Sequence, residues 1–318
     1  IAYRFYSLYI ANRVMQLDPN RLTPAERHND GLDYVPTHKG VLFGHHFAAI
    51  AGAGPLVGPV LAAQMGYLPG TLWIIFGVVF AGAVQDMMVL FVSMRRDGKS
   101  LGDIVKQELG TVPGVIASIG ILMIMVIIMA VLALIVVKAL VHSPWGTFTI
   151  AATMPIALFM GIYTRYIRPG KIGEISIVGF ILLMLAVIYG EDVARSSFGH
   201  WFDLDGIQLT WAIMIYGFVA SVLPVWLLLT PRDYLSTFLK IGTIAALALG
   251  IVIVNPTLQM PAVTHFIDGS GPVFSGALFP FLFITIACGA VSGFHALISS
   301  GTTPKMVENE THVRMIGY

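Results

Sequence analysis

Residues 41–59 read VLFGHHFAAIAGAGPLVGP, an apolar run whose helix-breaking residues lie near its midpoint. Proline removes a backbone donor and clashes with the carbonyl four residues earlier, and glycine adopts dihedral angles that other residues avoid. Freed backbone groups are costly in lipid, so a break persists only where protein or a water-filled cavity covers it. We therefore predict a broken helix whose freed backbone groups bind a substrate or an ion. The residues predicted to supply these groups are Gly52, Ala53, Gly54 and Pro55.

Two structural alternatives remain open for this stretch. The proline could kink a continuous helix, or Gly54 and Gly58 could form a GxxxG surface on which another helix packs closely. A nucleotide-binding loop is not among the alternatives, because Gly52-Ala-Gly54 lacks both the third-glycine spacing and a preceding strand. The density of glycine and proline favours the first interpretation, a helix break that binds a substrate or an ion, which we call the binding break.

Seven further apolar stretches have the length of a membrane-spanning helix, which needs about 20 residues to cross a hydrocarbon core roughly 30 Å thick. The sequence therefore predicts an all-α fold class, a polytopic membrane protein with about eight transmembrane helices. The eight predicted spans are 41–64, 70–94, 113–141, 147–164, 172–190, 208–229, 234–254 and 277–299.

The basic residues are sorted by side. Of the 18 Lys and Arg residues, all except Lys138 and Arg195 lie in or beside the first segment and alternate connections. An excess of positive charge is typical of the cytoplasmic connections of membrane proteins. The segments predicted to be cytoplasmic are 1–40, 95–112, 165–171, 230–233 and 300–318.

The composition also indicates a membrane protein. Hydrophobic residues make up 57% and charged residues 11% of the chain, and the mean hydropathy is +0.83. Soluble domains carry about 25% charged residues. The net charge of +1 gives no sign of nucleic-acid binding. The single cysteine, Cys288, is interpreted as a small buried hydrophobe, so we predict no disulfide, no metal site and no cofactor.

Two domains are predicted, a cytoplasmic segment over residues 1–40 and a transmembrane domain over residues 41–318. The first ten residues, IAYRFYSLYI, resemble the last turns of an apolar helix with interfacial Tyr and Arg residues. We therefore expect the chain to be a piece of a longer protein that has lost helices at one or both ends.

Short surface helices are predicted within the cytoplasmic segments. Thr23-Pro-Ala-Glu26 combines a capping residue, a first-turn proline and a carboxylate at capping-box spacing. Ser100-Leu-Gly-Asp103 begins a second helix, predicted to run to about Leu109 before Gly110.

Asp86 is an ionisable residue well inside an apolar span. Burying a central Asp in a membrane helix costs about 2.5–3.5 kcal/mol, so its side chain should face protein or water. A protonatable carboxylate at this position could couple proton movement to transport. The alternative is a packed Asp that bonds a neighbouring helix with help from Gln85.

Three histidines and a serine also fall within the spans. His45 and His46 point about 100° apart on a helix, so they are not expected to chelate one metal; they are interpreted as a gate or as packed hydrogen-bonding residues. Ser292 and His295 share a helix face and could line the pathway or hold an ion. Hydrolase chemistry at this pair lacks an oxyanion-hole motif.

Lys138 and Lys240 lie near predicted span ends. Long basic side chains at such positions commonly extend toward the lipid headgroups. We therefore predict this ordinary role for both residues.

Six stretches resemble the carbon starvation protein A family, and together they run almost from end to end of the chain. The resemblance implies a bacterial inner-membrane transporter, assigned to peptides in some members and to pyruvate in others. The stretches are NDGLDYVP (29–36), FGHHFAAIAGAGPLVGPVLAAQ (43–64), GYLPGTLW (66–73), GAVQDMMVLFVSMRRDGKSLG (82–102), LTPRDYLSTFLK (229–240) and CGAVSGFHALISSGTTPK (288–305).

The resemblance also implies a relationship to the amino acid–polyamine–organocation superfamily, whose LeuT-like core contains two inverted five-helix repeats with a broken first helix. Such a repeat would pair span 41–64 with span 208–229, which contains Gly217 and Pro224. The predicted orientations of the two spans permit this pairing.

These observations favour a secondary active transporter, not an enzyme, that imports a peptide or pyruvate by proton symport. We predict that a positive half-helix end attracts the substrate carboxylate. The predicted coupling or gating groups are Asp86, His45, His46 and His295, and Ser292 joins the substrate- or ion-binding set. A solute sensor that does not transport and a channel are the alternative functions. The expected partners are the solute, a coupling proton and membrane lipid, but no nucleic acid.

Overall fold

A computed structural model describes all 318 residues. Its regular secondary structure is helical apart from one isolated β-bridge between Thr37 and Val307. Five helices are long and apolar enough to cross a membrane, and one bent pair makes a sixth candidate. The predicted all-α membrane class is confirmed. The helices used below are α1 (Ala2–Tyr9), α2 (Pro24–Arg27), α3 (Lys39–Ile50), α4 (Ala53–Ala62), α5 (Tyr67–Arg95), α6 (Leu101–Leu109), α7 (Thr111–Leu140), α8 (Pro144–Ile167), α9 (Ile172–Arg195), α10 (Gly206–Val222), α11 (Leu229–Val254) and α12 (Gly293–Ser299).

The bent pair is the predicted broken helix. Helices α3 and α4 differ in direction by 44°. Ala51 leaves helical geometry with ψ 57°, and Gly52 is extended with φ −90° and ψ −161°. Pro55 then falls in the first turn of α4, where a missing N–H is tolerated because that group has no intrahelical acceptor. The sequence therefore located the break to within a turn.

Two predicted spans differ from the observed elements. Helix α10 has 17 residues, because Leu223 is extended immediately before Pro224 and proline disfavours helical geometry in the residue that precedes it. The stretch 277–299 is divided into short helical pieces, with extended residues at Val291 and Ser292 before α12. The structure thus has fewer continuous spans than the eight predicted.

Helix α11 packs along α3 through a glycine contact and a hydrogen bond. A Cβ atom added at Gly44 would lie 2.6 Å from the ring of Tyr234, so only glycine allows this approach. Thr237 Oγ1 donates to the Gly44 carbonyl at 2.7 Å. Helix α11 begins at Leu229, five residues before the predicted span. Arg232 and Asp233 therefore lie in its first turns rather than in a loop.

The connections group as the charge pattern predicts. Segments predicted to be cytoplasmic contact one another, as where Arg95 Nη2 pairs with Glu310 Oε1 at 2.6 Å. Segments predicted to lie on the other side do the same, as where Tyr67 N donates to the Pro261 carbonyl at 3.3 Å. The choice of which face is cytoplasmic remains a prediction from the positive charge.

Both predicted surface helices are present as α2 and α6. Ser100 caps α6 by accepting the Asp103 N–H at 3.3 Å. The expected cap on α2 is absent, because the Thr23 hydroxyl is buried and has no hydrogen-bond partner. The capping-box interpretation of Thr23 is therefore wrong, although the helix itself forms.

Candidate functional site

A cavity of about 720 Å³ lies against the break between α3 and α4. All four residues predicted to form the binding break line this cavity. Helix α7 supplies an apolar wall that includes Ile128, Val131 and Ile135. Helix α11 supplies the charged residues of the lining, Arg232, Asp233 and Lys240. The predicted break and a solute-sized cavity therefore coincide.

Lys240 lines the cavity and bonds the end of α3. Its Nζ donates to the Ala48 carbonyl at 2.6 Å. The last carbonyls of a helix lack intrahelical donors and carry partial negative charge, so a cation is favoured there. The predicted headgroup position of Lys240 is wrong, because the early start of α11 places this residue about three turns into the helix.

Arg232 and the start of α4 add positive charge to the same cavity. The Arg232 guanidinium stacks 4.7 Å from the Tyr216 ring centroid, and its Nε is buried without a hydrogen-bond partner. No side chain caps α4, so the first-turn N–H groups of Ala53 and Gly54 are available to an anion. Asp233 is the only carboxylate in the lining. The lining therefore suits an anionic group with an apolar body.

Asp233 and His45 connect α11 to α3 at the edge of the cavity. His45 Nδ1 lies 2.9 Å from Asp233 Oδ2, an ion-pair distance, but the angles do not make a hydrogen bond. A second cavity of about 610 Å³ includes His45 in its lining. The two cavities share Ala49, Asp233 and Phe294, so these residues stand between them.

His46 has a different environment from His45. It is fully buried, and its Nδ1 lies 2.9 Å from Thr303 Oγ1, while its Nε2 has no partner. The adjacent histidines therefore have separate partners, in keeping with their angular separation on the helix. No group of three His, Cys, Asp or Glu side chains is placed to hold a metal ion.

Asp86 and His295 form a buried pair across α5 and α12. Asp86 Oδ2 lies 3.2 Å from His295 Nδ1, and the Asp86 residue is only 5% exposed. The second carboxylate oxygen, Oδ1, is buried without a partner, as is His295 Nε2. Two residues predicted separately from the sequence are thus brought together, with hydrogen-bonding capacity left over.

Cys288 connects this pair to the cavity. Its side chain lines the cavity, and Ser292 Oγ donates to its Sγ at 3.4 Å. A Cβ atom added at Gly54 would lie 2.6 Å from the Cys288 sulfur, so the thiol rests on the first turn of α4. Gln85 Nε2 donates to the Ser292 carbonyl at 2.5 Å, which satisfies the backbone where the helix is interrupted.

Sequence reasoning missed four residues of this site. Cys288 is half-buried rather than a sequestered hydrophobe, and Arg232, Asp233 and Lys240 were assigned to a connection or to the headgroups. A usable signal was present, because LTPRDYLSTFLK carries these three charges in front of a long apolar run. Ser292 itself does not line the cavity and reaches it only through Cys288.

Several proteins from diverse bacteria are similar to this chain along its whole length. It is 71% identical over 319 residues to the peptide transporter CstA of Escherichia coli (strain K12), covering 100% of the chain and 46% of that protein. It is 66% identical to the pyruvate/proton symporter BtsT of the same organism, covering 45% of that protein. The peptide transporter CstA of Bacillus subtilis (strain 168) is 50% identical, with 53% of it covered.

The chain thus spans about half the length of these curated relatives. No solved structure matches it. The family profile described as carbon starvation protein CstA, however, matches from residue 1 to residue 318. The candidate membrane-spanning helices fit a membrane transporter family. Because the family profile covers the whole chain, the chain belongs to the carbon starvation protein CstA family.

Proposed function

We propose that the full-length protein is a secondary active transporter, and not an enzyme, which imports a small organic carboxylate across the bacterial inner membrane by proton symport. The main support is the cavity at the helix break, whose positive lining lies beside a buried protonatable pair. The similar proteins are named as a peptide transporter and a pyruvate/proton symporter. Pyruvate and a peptide share a carboxylate, which is the group that this lining suits.

The substrate carboxylate is proposed to bind between Lys240, Arg232 and the N-terminus of α4. Each supplies N–H donors, and charge-assisted hydrogen bonds to a carboxylate are stronger than neutral ones. The Gly52–Pro55 backbone supplies the close approach, because these small residues place no bulky side chain in the cavity. The apolar wall from α7 then contacts the uncharged part of the substrate.

Asp86 and His295 are proposed to carry the coupling proton. Their unpartnered atoms can gain or lose a proton without first breaking another hydrogen bond. Cys288 and Ser292 lie between the pair and the first turn of α4. A change in the protonation of the pair can therefore alter the packing at the binding break. Packed and hydrogen-bonded side chains of this kind can carry energetic coupling between two sites.

The second cavity is proposed as the cytoplasmic half of the pathway. It is lined by hydroxyl groups from Ser100, Ser118 and Thr302, which suit the passage of a polar solute. Phe294 separates it from the substrate cavity and is the proposed inner gate. His45 and His46 lie at this end of α3 and are proposed to respond to gate movement through Asp233 and Thr303.

An inverted five-helix repeat is proposed for the complete protein, with eight crossings in this chain. The support is that both elements expected to correspond in such a repeat are interrupted, the first at the α3–α4 break and the second at Leu223, where α10 ends. Helix α10 and the divided stretch 277–299 would each contribute one crossing. Broken helices are common where transporters bind their substrates near the membrane midplane.

The proposed function is tested by uptake into proteoliposomes with an imposed pH gradient. We expect accumulation of labelled pyruvate or of a dipeptide against its own gradient, without a requirement for sodium. Competition between the two solutes identifies the preferred carboxylate. Flux that is independent of the pH gradient would contradict proton coupling, high unitary conductance would indicate a channel, and binding without accumulation would indicate a sensor.

Lys240→Gln is expected to weaken substrate binding. Removing one charge-assisted hydrogen bond should raise KM for uptake by about tenfold or more, with a smaller change in the maximal rate. The matched control is Lys138→Gln, because Lys138 is exposed and lies outside both cavities. An unchanged KM in Lys240→Gln would remove Lys240 from the substrate site.

A further inference from the structure

A separate pocket of about 320 Å³ lies on the predicted cytoplasmic face and shares no lining residue with the cavity at the helix break. It forms where the N-terminal segment, the end of α5 and the C-terminal segment meet. Its polar lining consists of Arg21, Arg27, Arg95, Thr23 and Glu310. None of the transport steps proposed above uses these residues.

Positive charge exceeds negative charge in this pocket. Glu310 is fully buried, and its two oxygens face Arg95 at 2.6 Å and Arg21 at 3.6 Å. Arg27 pairs with Asp97, which lies outside the lining, at 2.6 Å. Three guanidinium groups against these two carboxylates leave one net positive charge (3 − 2 = 1).

Three buried polar atoms in the pocket have no hydrogen-bond partner, and two of them are donors. Thr23 is only 2% exposed, and its hydroxyl makes no hydrogen bond although it occupies the N-cap position of α2. Arg95 Nε is likewise buried and unpartnered. The third atom is the acceptor Glu310 Oε2, which bonds neither of these donors. A buried donor without an acceptor is costly, so an added acceptor oxygen would satisfy Thr23 and Arg95.

The shape and donors of the pocket indicate which anion it would accept. Guanidinium forks match the oxygens of phosphate, and a threonine hydroxyl can donate to a further oxygen. The lining contains no aromatic ring on which a nucleobase could stack. Arg95 is the last residue of α5, so the pocket lies at the level where the membrane span ends.

We propose that this pocket is a phosphate-binding site, occupied by the headgroup phosphate of an anionic phospholipid or by a small soluble phosphate. The bound phosphate would accept from Thr23 and from the free edges of Arg21 and Arg95. Because the pocket joins three chain segments, occupancy would stabilise the cytoplasmic face of the protein.

Thermal unfolding of the purified full-length protein tests this site in two arms. One arm titrates inorganic phosphate against chloride at constant ionic strength. The other compares nanodiscs of phosphatidylglycerol with nanodiscs of phosphatidylcholine. We expect a rise in Tm in at least one arm, and the arm that responds identifies the soluble or the lipid source.

Two variants and a control decide whether the effect arises in this pocket. Arg21→Gln and the nearly isosteric Thr23→Val should each weaken phosphate binding by about tenfold, and neither breaks the pairing of Arg95 with Glu310. Arg13→Gln removes a basic residue of the same segment outside the pocket and should bind as the wild type does. Equal stabilisation of all four proteins, or none in either arm, would overturn the proposal.

Discussion

Asp86→Asn is expected to abolish pH-driven accumulation of the substrate while leaving the protein folded and able to bind it. Asparagine keeps the size of the side chain and can still bond His295, but it cannot exchange a proton. The pH dependence of substrate affinity, which for a typical coupling between two sites is about 5- to 150-fold, should therefore disappear. His295→Gln should act in the same direction.

The measurement has two parts, accumulation in proteoliposomes under an imposed pH gradient and substrate binding at two pH values. The matched control is Glu174→Gln, because Glu174 is a carboxylate at the exposed start of α9, where it bonds Tyr163 and Arg168. Its loss should leave coupling unchanged. If Asp86→Asn still accumulated substrate in response to the gradient, the coupling proton would have to bind elsewhere.

Gly54→Ala is expected to destabilise the protein and to stop uptake, although it adds a single methyl group. The new Cβ would lie 2.6 Å from the Cys288 sulfur and 3.0 Å from its Cβ, so α4 or the Cys288 segment must move. Overpacking of this kind typically costs about 1–3 kcal/mol. The displaced elements carry both the binding break and the link to Asp86.

The same chain offers a close control and a rescue. A Cβ atom added at Gly52 meets nothing within 4 Å, so Gly52→Ala should keep the Tm of the wild type and serves as the control for stability. Adding Cys288→Ala to Gly54→Ala removes the sulfur and should restore part of the lost Tm and uptake. If Gly52→Ala and Gly54→Ala had equal effects, steric contact with Cys288 would not be the cause.

The helix break was predictable because its cause is local. Gly52, Gly54 and Pro55 alter backbone preferences wherever they occur, and the membrane makes a break conspicuous. The spans that became α5, α7, α8 and α9 were predictable for a similar reason, since apolar length alone identifies them.

The partners of the ionisable residues were not predictable, because they depend on packing between distant segments. Asp86 and His295 were each identified as candidates, but their pairing joins residues 209 positions apart. Lys240 was predicted to lie near the headgroups because the predicted span began at residue 234, whereas α11 begins at Leu229. Thr23 was assigned a cap from its spacing, whereas the structure leaves its hydroxyl free within a basic pocket.

The contacts around the break divide its two halves between different neighbours. Helix α3 is fastened to α11 by Thr237 and Lys240, which bond the Gly44 and Ala48 carbonyls. Helix α4 instead rests on the segment that contains Cys288. Ala51 and Gly52 therefore lie between two differently packed halves, with α3 beside Lys240 and α4 beside the Cys288 thiol. Rotation about these two residues would move the Lys240 side of the cavity relative to the Cys288 side, and we expect the proposed cytoplasmic pathway to open in this way.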